Sequence, residues 1–256
     1  MFLYGLIGYP LGHSFSKKYF SEKFEREGVQ DAGYKLFPLD SITGLTDLLA
    51  QNPELRGLNV TIPYKETILP LLQRLDETAR AVGAANCVKI LDTQELVGFN
   101  TDVIGFERSL ASLNMEALAA AGSTALILGT GGASKAVAFV LKKLRIPFKF
   151  VSRKPENEQE ISYEEIANQT SPAQIKVRFI VNTTPCGTFP NTDQMPPLPP
   201  DFLKPDMLVY DLIYNPAETL LLREAKARGC AVKNGYEMLE LQAEASWDIW
   251  QSPPEI

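Results

Sequence analysis

Apolar and polar positions along the chain follow two patterns, and each pattern predicts a different element. Short apolar runs bounded by Gly, Pro or Asn predict β-strands, whereas apolar residues three and four positions apart predict amphipathic helices. In the first part of the chain, strands are predicted at 2–8, 34–39, 55–60, 85–90 and 96–99, and helices at 16–27, 43–51 and 76–82. The last two strands flank Asp92-Thr93-Gln94 and predict a hairpin. This alternation predicts a parallel or mixed α/β sheet.

The second part of the chain continues the alternation. Asn100-Thr101-Asp102 precedes a helix that is predicted to run to about Leu113. Strands are then predicted at 125–128, 148–152, 179–181, 208–212 and 231–233, and helices at 163–167, 217–228 and 237–250, with one more helix after a glycine-rich loop at 129–134. A proline-rich segment, 185–205, is predicted to be a long loop. Both parts therefore indicate an α/β fold.

The segment Asn59-Val60-Thr61-Ile62-Pro63-Tyr64-Lys65 ends the third predicted strand. Pro63 suits the first turn of a helix because it needs no N–H there, and apolar residues from 68 to 75 extend a helical face. Thr61 and Lys65 lie four residues apart, which places both on one side of a helical turn. A lysine in a first turn is commonly a solvated charge, so a structural and a functional interpretation both stay open here.

Glycines stand where a predicted strand meets a predicted helix, in Gly129-Thr130-Gly131-Gly132-Ala133-Ser134. Glycine at 129 and 131 permits a tight turn and close approach of the backbone to a pyrophosphate, whose charge the next helix N-terminus stabilises. Ser134 replaces the third glycine of the usual pattern and is small enough for close packing. Because strand and helix are both predicted, a nucleotide-binding loop is favoured over an ordinary glycine-rich turn.

The end of the next predicted strand bears on the choice of cofactor. An NAD site places Asp or Glu there for the ribose 2′-OH, whereas an NADP site uses a basic residue for the 2′-phosphate. This chain has Ser152-Arg153-Lys154, and a guanidinium donates paired hydrogen bonds to a phosphate. NADP is therefore favoured. A solvated basic turn is the alternative, and Glu156 and Glu158 would weaken a phosphate site if they pointed inward.

Composition and charge narrow the classes of function. The 256 residues are 45% hydrophobic and 22% charged, as in a soluble globular protein with room for two cores. A balance of 25 basic and 31 acidic residues gives −6 without long blocks of one sign, which argues against nucleic acid and anionic membrane as partners. The N-terminus lacks the basic region of a signal peptide, and no apolar run reaches membrane-spanning length.

Cysteine and histidine usage points the same way. Cys87, Cys186 and Cys230 are odd in number and widely spaced, which favours reduced thiols in a cytoplasmic protein. His13 is the single histidine, so a metal site or a Ser-His-Asp triad has little to build on. We therefore expect a small-molecule enzyme without a metal.

Eight segments in this order along the chain resemble the shikimate dehydrogenase family. They are Gly12-His13-Ser14-Phe15-Ser16, Asn59-Val60-Thr61-Ile62-Pro63-Tyr64-Lys65, Ala84-Ala85-Asn86, Gly98-Phe99-Asn100-Thr101-Asp102, Gly129-Thr130-Gly131-Gly132-Ala133-Ser134, Val181-Asn182-Thr183-Thr184-Pro185, Asp211-Leu212-Ile213-Tyr214-Asn215-Pro216 and Gly235-Tyr236-Glu237-Met238-Leu239. The resemblance covers nearly the whole chain. It implies two α/β domains: residues 1–103 with 237–256 binding shikimate or 3-dehydroshikimate, and a Rossmann-type domain at 104–236 binding NADP(H), with the C-terminal helix returning to the first domain.

The resemblance also implies roles for individual residues. Lys65 and Asp102 are implied to transfer a proton. The implied substrate-binding residues are Ser14, Ser16, Thr61, Asn86, Asp102, Tyr214 and Gln242. The implied cofactor-binding residues are Gly129, Thr130, Gly131, Gly132, Ala133, Ser152, Arg153, Lys154, Thr183, Leu212 and Gly235. The chemistry agrees, because reduction of a ketone needs a hydride and a proton for the developing alkoxide, which a lysine ammonium can donate. Oxidation requires that Lys65 first lose a proton, so we expect faster oxidation at alkaline pH.

Structural roles are the alternative for several of these residues. Ser14 and Ser16 suit the cap of the first helix, Asp102 suits the cap of the helix after it, and Asn86 suits a turn. A structural role is favoured for His13. The family often continues its basic cofactor segment with a second basic residue, whereas acids follow Lys154 here, so NADP is an expectation.

Two alternative functions are consistent with the same sequence. A quinate-oxidising enzyme, also with NAD, would keep the fold, but Ser14 and Ser16 together favour shikimate over the bulkier quinate ring. A nucleotide sensor would bind both ligands without turnover, but the presence of Lys65 and Asp102 argues against it. The sequence is consistent with a monomer or a homodimer.

Overall fold

The computed structural model of the protein describes residues 1–12, 14–113, 115, 118, 122–168, 176–199 and 201–253. His13 and the end of the predicted first domain, 254–256, lie outside the described residues. The chain divides into two compact units, Met1–Ile104 with Gln242–Ile256 and Gly105–Leu241. The domain limits predicted from the sequence lie one and five residues from these divisions. Which ligand each domain binds stays a prediction.

The first unit contains a mixed six-stranded sheet. Its strands are β1 (Phe2–Gly8), β2 (Ala32–Pro38), β3 (Leu55–Val60), β4 (Arg74–Leu75), β5 (Cys87–Ile90) and β6 (Leu96–Phe99), in the order β2-β1-β3-β5-β6-β4. β1 runs parallel to β2 and β3, whereas β5 runs antiparallel to β3 and β6. The predicted mixed sheet and the predicted hairpin are both confirmed.

Four α-helices belong to the first unit, and side chains cap the N-termini of two of them. They are α1 (Phe15–Arg26), α2 (Leu45–Gln51), α3 (Tyr64–Thr67) and α4 (Glu77–Val82), with 3-10 turns at Ile42–Gly44 and Leu69–Leu71. Asp76 caps α4 by accepting hydrogen bonds from the N–H groups of Thr78 and Ala79, and Gly83 ends α4 in the left-handed region. These caps agree with the predicted limits of that helix.

The second unit contains a parallel six-stranded sheet. Its strands are β7 (Thr124–Leu128), β8 (Phe148–Ser152), β9 (Glu160–Ser162), β10 (Val177–Asn182), β11 (Leu208–Asp211) and β12 (Ala231–Asn234), in the order β12-β11-β10-β7-β8-β9. Between α5 (Thr101–Ser109), which the division at 104 crosses, and the end of the unit lie α6 (Gly132–Lys143), α7 (Tyr163–Asn168) and α8 (Leu220–Ala227). Numbered along the unit, this is the Rossmann strand order 3-2-1-4-5-6. Successive strands lie on one side of β7 as far as β9 and on its other side from β10 onward. Sheets of this kind bind ligands at this change of side, between β7 and β10.

The last helix, α9 (Tyr236–Gln251), ends in the first unit. The Trp250 ring stacks on Tyr4 with centroids 4.9 Å apart, and its indole N–H donates to Val88 O at 3.0 Å. Gly57 makes room for this ring, because a Cβ there would overlap the indole. The predicted return of the C-terminal helix to the first domain is confirmed.

Two predicted helices are shorter in the structure, and the short strands β4 and β9 were not predicted. The helix expected after Pro63 ends at Thr67, because Pro70 lacks an N–H and the chain then pairs with β6 through Gln73. α5 ends at Ser109 and not near Leu113. The three-residue strand β9 was not predicted, since so short a run carries no clear period.

The cores of both units consist of aliphatic and aromatic side chains from these elements. In β1, Leu3 and Ile7 pack in one cluster while Tyr4 and Leu6 pack in another, as the alternation of a strand requires. Within the described ranges, no helix has both the length and the apolar character needed to cross a bilayer.

Candidate active site

Lys65 and Asp102 lie side by side in the first unit. Lys65 belongs to α3, just after the carboxyl end of β3, and Asp102 lies in the first turn of α5, just after β6. Lys65 Nζ is 2.6 Å from Asp102 Oδ2, and the two side chains are 19% and 9% exposed. A charge-assisted hydrogen bond of this length fixes the position of the ammonium group. The fold thus brings together the two residues to which the sequence assigned proton transfer, and that role stays a prediction.

Asn86 holds the second oxygen of Asp102. Its Nδ2 donates to Asp102 Oδ1 at 2.9 Å and to Thr101 Oγ1 at 2.9 Å, while the Thr101 N–H donates to Asn86 Oδ1 at 2.6 Å. The Asn86 N–H donates to Phe99 O, and the Asn86 carbonyl accepts from the Val60 N–H. Both backbone groups of Asn86 are therefore hydrogen-bonded to neighbouring strands. Its carboxamide is therefore oriented toward the Lys65–Asp102 pair.

Asp102 is not the cap of α5. The Asn100 side chain performs that function, since its Oδ1 accepts from the N–H of Val103 at 3.2 Å. The capping alternative for Asp102 is therefore wrong, and both its carboxylate oxygens are directed at other side chains.

The other substrate-binding predictions in this unit have mixed surroundings. Ser14 caps α1, because its hydroxyl accepts from the Lys17 N–H at 3.5 Å, so its capping alternative is confirmed. Burial raises the pKa of the Tyr34 phenol, and the Ser16 side chain opposes this effect by lowering the same pKa. Thr61 is half-buried directly after β3, and Gln242 in α9 is buried with its Oε1 3.5 Å from Thr101 Oγ1. A substrate-binding role for each of these residues stays a prediction.

Tyr214 belongs to the second unit. It follows β11 and is half-buried, and this burial raises the pKa of its phenol. Its role in substrate binding also stays a prediction.

The glycine-rich loop follows β7 at the point where the strand progression reverses. Gly129 has φ +103°, and a Cβ there would be 3.0 Å from both Thr183 Oγ1 and Thr184 Cγ2 at the end of β10. Thr183 Oγ1 in turn donates to Leu128 O at 2.6 Å. Only glycine suits this conformation and this approach, so the reason predicted for Gly129, a tight turn, is seen directly.

The rest of the loop opens onto the N-terminus of α6. Gly131 caps that helix without a side chain, and Thr130 and Gly131 are exposed, with Gly132 and Ala133 partly so. The Ser134 hydroxyl donates back to Gly131 O at 2.6 Å. The backbone N–H groups of the first helical turn therefore face an open loop lined by small residues, which is what a phosphate group needs.

The basic residues after β8 are exposed and available. Ser152 Oγ joins the backbone N–H of Lys154 at 3.2 Å and shapes the turn. Neither Arg153 nor Lys154 forms a salt bridge with any residue that the structure describes. Glu156 and Glu158 are themselves exposed. Within this described segment, Glu156 and Glu158 thus form no ion pair with Arg153 or Lys154 that would compete with a phosphate. The phosphate-binding role of Arg153 stays a prediction.

Gly235 has a structural reason to be glycine. A Cβ on Gly235 would overlap the backbone carbonyl of Leu212, and the Gly235 N–H donates to Ile213 O at 3.1 Å. Leu212 itself donates its N–H to Asn182 O at 3.0 Å. The backbone segments that follow β11 and β12 are therefore in close, hydrogen-bonded contact. Contact of Leu212 or Gly235 with a cofactor stays a prediction.

Asp211 and Asn182 organise the same strand ends but were not assigned a role from the sequence. Asp211 Oδ1 accepts from Asn182 Nδ2 at 2.9 Å and from the Ile213 N–H at 3.1 Å, and its Oδ2 accepts from Thr219 Oγ1 at 2.6 Å. Complete burial raises the pKa of Asp211 to about 6, against these hydrogen bonds, which lower it. Both residues stand in segments that carry the family resemblance, and that position was the available signal.

Asn59, Thr101 and Ser246 form a further buried polar group behind Asn86, and none of them was assigned a role from the sequence. Ser246 lies four residues after Gln242 on the same face of α9, and this spacing was the signal that could have singled it out. Among the described residues, no group of three or more His, Cys, Asp or Glu is placed to hold a metal ion.

The fold and the site together define a class. A mixed α/β unit presents a shielded Lys–Asp pair, and a Rossmann-ordered unit presents a glycine-rich loop at its switch point. The protein is therefore a two-domain α/β protein of the Rossmann type.

Comparison with known proteins identifies the family. Residues 6–88 match the shikimate dehydrogenase substrate binding domain. A shikimate dehydrogenase (NADP(+)) of Moorella thermoacetica is 36% identical, over 97% of this chain and 87% of that protein. The crystal structure of a chorismate mutase/shikimate 5-dehydrogenase fusion protein from Clostridium acetobutylicum is 36% identical with a TM-score of 0.84, covering 97% of this chain and 90% of that one.

A third similar structure is shikimate 5-dehydrogenase of Thermus thermophilus in complex with NADP(H) and shikimate. It is 30% identical with a TM-score of 0.79, covering 98% of this chain and 94% of that one. The chain belongs to the shikimate dehydrogenase family.

Proposed function

We propose that the protein catalyses the reversible NADPH-dependent reduction of 3-dehydroshikimate to shikimate, as an enzyme of chorismate and aromatic amino acid biosynthesis. The observation that carries this proposal is the shielded Lys65–Asp102 pair, held by Asn86, in a chain of the shikimate dehydrogenase family. Both side chains are largely shielded from solvent, which supports a role in proton exchange with a small molecule.

Lys65 is the proton donor in the reductive direction. Bound NADPH supplies the hydride for the carbonyl carbon. As negative charge develops on the carbonyl oxygen, the Lys65 ammonium donates a proton to it and stabilises the charge. Asp102 accepts the hydrogen bond of the same ammonium at 2.6 Å and so keeps Nζ from rotating away. In the oxidative direction the neutral amine of Lys65 removes the hydroxyl proton.

Polar side chains, most of them in the first unit, are the proposed substrate contacts. Shikimate has three hydroxyls and a carboxylate, and hydroxyl, carboxamide and phenol groups offer both donors and acceptors for them. The proposed substrate-binding residues are Ser14, Ser16, Thr61, Asn86, Asp102, Tyr214 and Gln242. An analogue that lacks one hydroxyl would leave a donor or an acceptor of the site without its partner, which is the physical basis of selectivity.

The strand ends of the second sheet fit NADP(H). Gly129 lets the loop turn tightly against Thr183, and a Cβ on Gly131 would meet nothing within 4 Å, so the loop is open there. Exposed Arg153 and Lys154 are free of described ion pairs, as a 2′-phosphate requires. The proposed cofactor-binding residues are Gly129, Thr130, Gly131, Gly132, Ala133, Ser152, Arg153, Lys154, Thr183, Leu212 and Gly235. The substrate and cofactor roles are thus proposed for residues 1–103 with 237–256 and for residues 104–236, respectively. A cytoplasmic location and a monomeric or homodimeric state belong to the same proposal.

Replacement of Lys65 tests this function. Lys65→Met keeps the length of the side chain and removes the proton donor, so kcat should fall by about 10²- to 10⁴-fold. The dissociation constant for NADP⁺, measured by fluorescence titration, should stay within about twofold of that of the unaltered protein because Lys65 is not a proposed dinucleotide contact.

Lys18→Met is the matched control, since the Lys18 side chain is 76% exposed in the same unit. Its kcat should equal that of the unaltered protein. If Lys65→Met retained more than a tenth of the activity, Lys65 would not be the proton donor.

A further inference from the structure

Behind the Lys65–Asp102 pair, five buried polar side chains continue a chain of hydrogen bonds into the first unit. They are Asn86, Thr101, Ser246, Asn59 and Tyr34, each at most 7% exposed. Such a buried series is stable only if every donor meets an acceptor, so its hydrogens have a definite order. That order can be worked out from the distances.

Ser246 is the residue at which two branches meet. Its single hydroxyl hydrogen donates to Gln242 O within α9 at 2.9 Å. Its oxygen is therefore an acceptor for its other neighbours, Asn59 Nδ2 at 2.9 Å and Thr101 Oγ1 at 3.1 Å. Ser246 itself is fully buried, so no water replaces either donor.

The branch through Asn59 has a fixed direction as well. Tyr34 donates its hydroxyl hydrogen to Asn59 Oδ1 at 2.8 Å, which leaves Asn59 Nδ2 to face Ser246. Burial raises the pKa of Tyr34 well above its ordinary range, so it stays a neutral donor. The carboxamide of Asn59 thus has one orientation.

The branch through Thr101 reaches the catalytic pair. With its hydrogen donated to Ser246, Thr101 Oγ1 accepts from Asn86 Nδ2 at 2.9 Å. The other Nδ2 hydrogen of Asn86 then holds Asp102 Oδ1 at 2.9 Å, and Asp102 Oδ2 is left for Lys65 Nζ at 2.6 Å. The Thr101 N–H donates to Asn86 Oδ1 at 2.6 Å, so Thr101 contacts both ends of the Asn86 carboxamide.

We propose that Ser246, on the C-terminal helix, is a positioning residue for the reaction: by accepting from the Thr101 hydroxyl it keeps Thr101 Oγ1 directed as an acceptor toward Asn86 Nδ2, and thereby supports the position of the Asp102 carboxylate beside Lys65. Ser246 touches neither Lys65 nor Asp102 and acts through Thr101 and Asn86. The proposal rests on the proposed function, since it concerns the geometry of proton transfer. It gives the returning C-terminal helix a role in catalysis besides packing.

Removal of the Ser246 oxygen has a defined consequence. In Ser246→Ala the Thr101 hydroxyl loses its acceptor and turns to Asn86 Oδ1 or Gln242 Oε1, which already lie at 3.2 and 3.5 Å. Asn86 Oδ1 then has two competing Thr101 donors, and Asn59 Nδ2 is left without the Ser246 oxygen. The Asp102 carboxylate is consequently held less firmly.

The test compares steady-state shikimate oxidation by Ser246→Ala with that of the unaltered protein, normalised to folded sites by NADP⁺ binding. We expect kcat to fall about tenfold, with KM for NADP⁺ within about twofold. Ser109→Ala is the matched control, because the Ser109 hydroxyl is also fully buried, donates to a helical carbonyl and accepts from Tyr210 at 2.8 Å. It should lose thermal stability without losing normalised kcat.

A double-mutant cycle with Thr101→Val, which keeps the shape of Thr101 and removes its hydroxyl, separates positioning from packing. If Ser246 acts through Thr101, the double variant loses no more kcat than Thr101→Val alone. Multiplied losses in the double variant, or a normalised kcat of Ser246→Ala within twofold of the unaltered protein, overturn the proposal. Absence of turnover in the unaltered protein overturns the proposed function and this inference together, whereas turnover that Ser246→Ala leaves unchanged overturns only the inference.

Discussion

At the scale of single residues, the surroundings of a buried polar side chain determine its protonation and its hydrogen bonds. Asp211 is an example, because its carboxylate is fully buried yet no described cation pairs with it. Three neutral donors, from Asn182, Ile213 and Thr219, offset part of the desolvation of the charged form. Burial therefore favours the protonated form of Asp211 up to about pH 6.

The pH dependence of stability should report Asp211. Burial raises the pKa of Asp211 from 3.8 to about 6, so its contribution to stability is complete below pH 3.8 and is lost as pH rises through 6. Asp211→Asn cannot ionise, and its free energy of unfolding relative to the unaltered protein should rise by on the order of 3 kcal/mol between pH 4 and pH 7.5. Urea unfolding across this range measures the difference. A difference that does not change with pH would show that the pKa of Asp211 is the same in the folded and the unfolded protein.

Gly235 tests the close approach of two loop backbones. Gly235→Ala places a Cβ against the Leu212 carbonyl, which is backbone and cannot rotate away, so we expect a loss of about 1–3 kcal/mol of stability. Gly12→Ala is the control, because a Cβ there meets nothing within 4 Å and should change stability by less than about 0.5 kcal/mol. Thermal unfolding of both variants gives the comparison. Equal melting temperatures would mean that the Leu212 segment shifts without cost.

At the scale of elements, a lysine side chain from β5 binds carbonyl groups at the end of the C-terminal helix α9. Lys89, in β5, is only 8% exposed, and its Nζ donates to Ile249 O at 2.9 Å, to the Ser252 carbonyl and to Ser252 Oγ at 3.2 Å. The last carbonyls of a helix have no partners within it, and an ammonium group both satisfies them and complements the negative end of the helix. Lys89 is thus a cap supplied from a strand distant in sequence.

Removal of this cap should loosen the end of α9. Lys89→Met keeps the stem and removes the donors, and we expect a loss of about 1–2 kcal/mol of stability. Faster hydrogen exchange of the backbone amides of the last turn of α9 should accompany the loss, whereas Lys18→Met should change neither quantity. Unchanged exchange in Lys89→Met would mean that the aromatic contacts of Trp250 suffice to hold the helix end.

The predictability of the elements follows from the range of the interactions that define them. β3 and α4 could be predicted almost to the residue, because an apolar run, Asp76 and Gly83 mark their limits locally. The end of α3 and the strand β4 could not, because they depend on pairing of Gln73 with β6, which the local sequence does not encode.

The same distinction applies to the site. The Lys65–Asp102 pair and the glycine loop could be singled out from motifs, whereas the hydrogen bonds that orient them join residues far apart in the chain. Ser246 and Thr101 are separated by 145 residues, so no spacing rule links them. The choice between Asn100 and Asp102 as the cap of α5 likewise required the backbone geometry.

At the scale of the whole molecule, the two units provide different parts of one proposed reaction. One unit presents Lys65, the proposed proton donor, and the other presents a Rossmann-ordered sheet with its glycine loop and exposed Arg153. Membership of the shikimate dehydrogenase family connects the two sets of residues in one enzyme. Most of the proposed substrate contacts lie in the first unit, and the proposed cofactor contacts lie in the second.

Arg153 provides the test of cofactor selectivity. Arg153→Ala removes a proposed contact with the 2′-phosphate, so KM for NADP⁺ should rise about tenfold or more while the KM for NAD⁺ changes little. Glu158→Ala, at an exposed position nearby, is the control and should not raise either value. An equal rise for both cofactors would assign Arg153 to the fold of the loop and not to the phosphate.

The most direct test of the central claim is the initial rate of oxidation of shikimate and of quinate by the unaltered protein, each with NADP⁺ and with NAD⁺. We expect turnover to be confined largely to shikimate with NADP⁺ and to be faster at alkaline pH, because oxidation releases a proton. Preferred turnover of quinate or with NAD⁺ would contradict the assigned specificity. Absence of turnover in all four pairings, with both ligands still bound, would contradict the enzyme itself and indicate a sensor.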